Sequence, residues 1–169
     1  KHDDTGAKMS EKILKAMKFS KKQISYISKM VKNHIYPSHV VSSPELSEKI
    51  YMRFVRKMET DAIDVIILAM ADRWSARGPE ITQKIVDENI SGLSKLLRFY
   101  LDVKETLKPL PILLTGNDIM DMFKLAPSPL LGKLLKNLHE AQLSGDINTK
   151  DAAIDYVSTL LQAEKPLPM

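Results

Sequence analysis

Apolar residues recur at three- and four-residue spacing almost from end to end, and no stretch alternates long enough to make a strand. The pattern predicts an all-α chain. Met9, Ile13, Leu14 and Met17 line a first helix over roughly 5–18. Ser20 is placed to cap a second helix, in which Ile24, Ile27, Met30, Val31 and His34 share a face and which Pro37 ends. Residues 36–44 read as a polar linker. Ser43-Pro44-Glu45 opens a third helix, where Leu46, Ile50, Phe54 and Met58 fall four apart. Thr60-Asp61 caps a fourth, from Ala62 to about Ala76, with apolar residues on nearly all sides; it is expected to run through the middle of the core.

Gly78-Pro79 breaks the chain ahead of a long helix over about 80–107, whose seam holds Ile85, Val86, Ile90, Leu93, Leu97, Tyr100 and Leu101. Gly92 within it marks either a bend or a neighbour's close approach. Lys108-Pro109-Leu110-Pro111 is the clearest boundary in the chain. The expected organisation is therefore a helical bundle over 1–78, a long connecting helix over 79–108 and a small helical tail domain over 109–169. Asn148-Thr149 starts a last helix, about 150–163, faced by Ala153, Ile154, Val157, Leu160 and Leu161. Residues 164–169 read as a trailing end.

Two helix beginnings fall within about fifteen residues of one another in 115–133. Asn117-Asp118 precedes Ile119, Met120, Met122 and Phe123, with Asn117 the expected cap. Ser128-Pro129 precedes Leu130, Leu131, Leu134, Leu135 and Leu138, and brings Gly132, Lys133 and Lys136 into the first two turns. Exposed N–H groups, a positive dipole end and nearby ammonium groups make an anion site suited to a phosphate backbone. An ordinary capped turn between two core helices is the plainer alternative.

Composition narrows this modestly. A chain of 169 residues, 44% of them apolar, suffices for one sizeable domain or two small ones. The lack of cysteine excludes disulfide and thiolate–zinc chemistry and fits a reducing, cytoplasmic location. No apolar run approaches the roughly 18 residues of a membrane span, and no membrane partner is expected. The start at Lys1, without Met or a signal-like segment, suggests a piece of a longer protein. The net charge is +4, yet residues 1–36 alone carry nine lysines against Asp3, Asp4 and Glu11. Lys8, Lys12 and Lys15 form the nearest thing to a second basic patch, open to nucleic acid, an acidic membrane surface or plain solvation.

His2, His34 and Asp72 are the candidate metal or phosphate ligands, Asp72 lying near the end of the most apolar helix, where an unpaired carboxylate is costly. A hydrogen-bonded core Asp with a packed His explains the same residues without a metal. No catalytic triad order or phosphate-binding glycine loop is present. Trp74, Tyr100 and the nine methionines read as core, leaving Tyr36, Tyr51 and Phe99 as the rings able to stack on bases.

The segments His2-Asp3-Asp4-Thr5-Gly6-Ala7-Lys8-Met9, Leu14-Lys15-Ala16-Met17-Lys18-Phe19-Ser20 and Val31-Lys32-Asn33-His34-Ile35-Tyr36-Pro37 resemble the second half of an HD domain. The version they resemble is that of bacterial tRNA nucleotidyltransferases, the CCA-adding and poly(A)-polymerase-like enzymes. Leu68-Ala69-Met70-Ala71-Asp72-Arg73 is similar to that domain's last element. Leu114-Thr115-Gly116-Asn117-Asp118-Ile119-Met120, Pro129-Leu130-Leu131-Gly132-Lys133-Leu134-Leu135 and Glu140-Ala141-Gln142-Leu143-Ser144-Gly145-Asp146-Ile147 resemble the family's C-terminal tail, in order.

The resemblance implies an RNA-holding C-terminal portion that positions the tRNA 3′ end. Nucleotide addition, with NTP and Mg2+, would belong to a missing N-terminal catalytic domain. It assigns backbone contacts to Ser128, Gly132, Lys133 and Lys136, facing Asn117, with Lys8, Lys12 and Lys15 as a lesser patch. It matches only His2, His34 and Asp72 to HD ligand positions, leaving the upstream ligands of a divalent metal absent. The family motif begins Gly-Pro where this chain has Ser128-Pro129, so a left-handed backbone there would be harder to adopt. An HD-type phosphohydrolase fragment and a helical interaction module are the alternatives.

Overall fold

The computed structural model describes residues 2–163, of His2 the backbone alone. Among them are nine α-helices and no strand: α1 (His2–Ala16), α2 (Lys21–Asn33), α3 (Tyr36–Val41), α4 (Glu48–Met58), α5 (Ala62–Ser75), α6 (Gln83–Val103), α7 (Gly116–Phe123), α8 (Pro129–Leu143) and α9 (Lys150–Ala163), with a 3-10 turn at Glu59–Asp61. The all-α expectation holds. The side chain of His2 and the trailing end over 164–169 lie outside the described residues.

The chain divides into two compact units, Lys1–Leu107 and Lys108–Met169. In the first, α1 and α2 pack along one another, and Gly6 lets α1 come so close that a methyl group there would meet Val31 at 3.3 Å. Ser20 caps α2 reciprocally: its hydroxyl accepts from the Gln23 N–H while the Gln23 side chain accepts from the Ser20 N–H, which satisfies two orphan donors at once. The core gathers Met30, Val40, Phe54, Val55, Met58, Ala62, Val65, Ile66 and Ala69 with Leu93, Leu96 and Tyr100 from α6. The buried Ser38 hydroxyl donates to Asn89 Oδ1 at 3.2 Å, which ties α3 to α6.

Several local expectations fail here, each for a physical reason. Residues 36–41 are not a linker but α3, with Pro37 in its first turn, where the missing N–H costs nothing. Pro37, Ser38 and Val40 are buried. The next helix opens after Ser47, not at Ser43-Pro44-Glu45, and Leu46 stays exposed. Asp61 precedes α5 without capping it; its carboxylate instead takes a hydrogen bond from Lys29 Nζ at 2.6 Å. Helix α5 does not thread the core. Its Val65, Ile66 and Ala69 are buried, whereas Ile67, Leu68 and Trp74 face solvent, Trp74 at 61% exposure. Met9, Met17 and Met122 are likewise exposed and not core.

The second unit is built on Leu114, Ile119, Leu134, Leu138, Ile147, Ala153 and Val157, contributed by the connecting segment and by α7, α8 and α9. Gln142, buried on α8, donates to the Pro111 carbonyl at 3.0 Å and fastens the segment ahead of α7. Gly145 takes a left-handed conformation, φ +78°, just past α8. The N–H of Asp146 then reaches the Ala141 carbonyl at 3.0 Å, and the chain turns so that Ile147 enters the core. Thr149 supplies its hydroxyl to the Ala152 N–H, as a start signal for α9 should.

Candidate functional site

The paired helix starts in 115–133 are real, though the first is capped by another residue. Thr115, not Asn117, is the N-cap of α7: its hydroxyl accepts from the Asp118 N–H at 3.1 Å, and the Asp118 carboxylate accepts from the Thr115 N–H at 2.7 Å. Threonine three residues before an acid forms the reciprocal box that Asn117 has no partner to make. Asn117 stands exposed inside the first turn. The Thr115 hydroxyl and N–H, with Lys150 nearby, hold the Asp118 carboxyl below its ordinary value.

Ser128 occupies the N-cap position of α8, followed by Pro129 in the first turn. Its φ is −160°, extended backbone open to any residue, so the exchange of glycine for serine carries no conformational penalty. Its side chain makes no capping hydrogen bond, and both the hydroxyl and the start of the helix face solvent. Gly132 lies on the same exposed end. A methyl group on it would meet nothing within 4 Å, so packing does not require glycine there. Lys133 and Lys136 are exposed on the next turn.

Gly116, the first residue of α7, faces α8: a methyl group would stand 3.6 Å from Leu135 Cδ1 and 3.7 Å from Leu131 Cδ2. The backbone at the start of α7 therefore lies close against the first two turns of α8. Together they offer a short stretch of positive helix ends, a free serine hydroxyl, a bare glycine and two ammonium groups, a combination that attracts a polyanion. Asp118, inside its box, is the acid in the first turn of α7.

The other candidates are more scattered. Lys8, Lys12 and Lys15 are exposed along α1, with Lys15 3.8 Å from Glu11 across one turn, a distance and exposure worth little. His34 sits at the end of α2 with its Nδ1 2.7 Å from the Val31 carbonyl, and Asp72 is exposed on α5 rather than buried. Among the described residues no group of three His, Cys, Asp or Glu is placed to hold a metal ion. Tyr36 packs on Phe54 with ring centres 5.4 Å apart and lies under Lys57 Nζ, while Tyr51 meets Phe99 edge-on at 5.5 Å. These rings pack against the first core, so their faces are already engaged. Among the described residues, no helix is long and apolar enough to cross a membrane.

Comparison with known proteins gives these elements a lineage. The family model for tRNA nucleotidyltransferase domain 2 matches residues 4–157, from α1 into α9. The chain is 28% identical over 156 residues to the A-adding tRNA nucleotidyltransferase of Deinococcus radiodurans, covering 92% of this chain and 34% of that protein. It is 28% identical over 152 residues to the CC-adding tRNA nucleotidyltransferase of Thermus thermophilus, covering 90% and 31%. A CC-adding tRNA nucleotidyltransferase of Synechocystis is 34% identical over 70 residues, 41% of this chain and 17% of that protein. No solved structure matches. The chain thus spans about a third of the length of the first two relatives. A match that runs unbroken through both units, including the paired starts of α7 and α8, places this chain in the bacterial tRNA nucleotidyltransferase family.

Proposed function

We propose that this chain is the RNA-holding portion of a tRNA nucleotidyltransferase, positioning a tRNA so that its 3′ end reaches a catalytic region carried elsewhere in the protein. The observation that carries this reading is Gly132. In an exposed helical position glycine costs stability relative to alanine, about 0.5–1 kcal/mol, and no neighbour here requires the absence of a side chain. A bare backbone beside Ser128, Lys133 and Lys136 is instead what a closely approaching phosphate needs. Lys8, Lys12 and Lys15 supply a lesser electrostatic contribution along α1.

Holding rather than choosing is the task these residues suit. The A-adding and the CC-adding relatives match this chain at the same 28% identity and over nearly the same share of it. A portion that both kinds of enzyme match alike suits a task both have in common, and the choice of nucleotide, with its NTP and Mg2+, is assigned to the remaining two-thirds of such proteins. The contribution to rate is orientation: a fixed 3′ end turns a bimolecular encounter into a positioned one.

A tRNA titration of the 169-residue chain against ionic strength tests this. The expected result is binding at low salt that weakens steeply as salt rises. A Lys133→Ala/Lys136→Ala variant should bind with lower affinity and with a salt slope reduced by a little under one for each phosphate no longer neutralised. No binding at low salt, or affinity indifferent to those substitutions, overturns the reading.

A further inference from the structure

The lysines of α1 and α2 are unevenly opposed. From Lys12 to Pro44 the sequence has seven lysines and no Asp or Glu. Lys29 and Lys32 are answered from other elements, by Asp61 at 2.6 Å and by Asp4 at 3.5 Å, both toward the C-terminal half of α2. At the opposite end, where α1 turns into α2, Lys18, Lys21 and Lys22 are exposed and no acid pairs with them among the described residues. Exposed Phe19 lies between Lys18 and Lys21, and exposed Met17 directly precedes Lys18.

Two details show that local stability does not account for this arrangement. Lys18 takes the left-handed position that closes α1, φ +61°, with its N–H on the Lys15 carbonyl and the Phe19 N–H on the Leu14 carbonyl. Glycine is the residue that adopts this conformation freely. The charge of Lys18 does suit the C-terminal end of α1. Lys21 and Lys22 have no such compensation, because they occupy the first two positions of α2, where the helix dipole disfavours cations, and no acid shares that turn.

We infer that the α1–α2 turn, through Lys18, Lys21 and Lys22, is a second contact for the phosphate backbone of a bound RNA, separate from the start of α8. This rests on the reading that the chain binds tRNA. Unopposed cations around an exposed phenyl ring fit a polyanion that also offers base faces. An anionic bilayer offers the same charge, but the family of this chain acts on RNA, and that favours the nucleic acid.

The test compares four proteins in a tRNA titration over ionic strength: the unaltered chain, Lys21→Glu/Lys22→Glu, Lys18→Gly, and Lys133→Ala/Lys136→Ala. Carboxylates at the first positions of α2 suit its dipole, so the Lys21→Glu/Lys22→Glu variant is expected to melt no lower than the unaltered chain while binding tRNA about tenfold more weakly at low salt, with a shallower salt slope. A Lys18→Gly variant, which relaxes the turn, should also melt no lower and bind more weakly. Undiminished tRNA affinity in both α1–α2 variants, while the α8 variant weakens, overturns this inference and leaves the α8 reading standing. Absence of tRNA binding by the unaltered chain overturns both. Loss of binding to phosphatidylserine vesicles in Lys21→Glu/Lys22→Glu with tRNA affinity unchanged overturns it in favour of a membrane surface.

Discussion

Gly92 of α6 lies against Val41 of α3 so closely that a methyl group on Gly92 would stand 2.8 Å from the Val41 Cβ. That atom is the root of a stiff, branched side chain and cannot swing aside. Gly92→Ala forces α3 and α6 apart and should destabilise the first unit by about 1–3 kcal/mol, despite alanine's better helix propensity. Urea unfolding followed by circular dichroism measures it; a stability equal to or above the unaltered chain would show that α3 yields without cost.

Gly132 should behave in the opposite way. Its substitution by alanine meets open space, so Gly132→Ala is expected to stabilise the second unit by about 0.5–1 kcal/mol. If the proposed phosphate contact forms there, the same methyl group obstructs it and tRNA affinity should fall. Thermal melting and a tRNA titration on one preparation read both effects, and a gain in stability with no loss of binding removes Gly132 from the contact surface.

The cap of α7 makes one contribution to stability depend on pH. Thr115 donates to the Asp118 carboxylate through both its N–H and its hydroxyl, and the carboxyl sits below its ordinary value of 3.8. A group depressed on folding contributes stability that is present above its unfolded value and lost as pH falls through its folded value. Asp118→Asn should therefore be less stable than the unaltered chain at neutral pH; the difference should begin to shrink as the pH falls below about 3.8 and be gone only below the depressed folded value. Melting curves across that range decide it; a gap that persists in acid would place the effect in packing.

Lys29 and Asp61 link α2 to the turn ahead of α5 at 2.6 Å, both partly exposed. Asp61→Asn keeps the shape and removes the charge. The expected cost is at most about 1 kcal/mol, smaller in high salt, because exposed pairs are screened. A larger, salt-independent loss in chemical denaturation would mean that Asp61 is needed for the backbone of the turn.

What the sequence disclosed depended on how local the cause was. The caps at Ser20 and Thr149 depend on a few adjacent residues, and their signals are legible in the chain itself. Pro37 misleads because a proline that ends one helix equally begins another, and only burial of Val40 against the core decides between them. Helix α5 misleads because residues apolar on every side give no period to read, so the exposed side of Ile67 and Leu68 is hidden in the sequence. Asn117 and Thr115 both carry cap chemistry, and it is the Thr-x-x-Asp spacing that decides for Thr115. The hold of Gln142 on Pro111 joins residues far apart in the chain, and no local pattern announces it. At the candidate site the helix start at Ser128-Pro129 was legible, whereas the lack of any packing need for Gly132 required coordinates.

The exposure of Trp74 has a practical consequence. It is the one tryptophan in the chain, and its indole stands on the open side of α5. Iodide in solution will reach it freely and quench its emission, with no label attached. Any body that settles over α5 must shield that ring, so a fall in the quenching constant reports coverage of this face directly, whether the covering surface is another copy, another part of a longer chain or an added molecule.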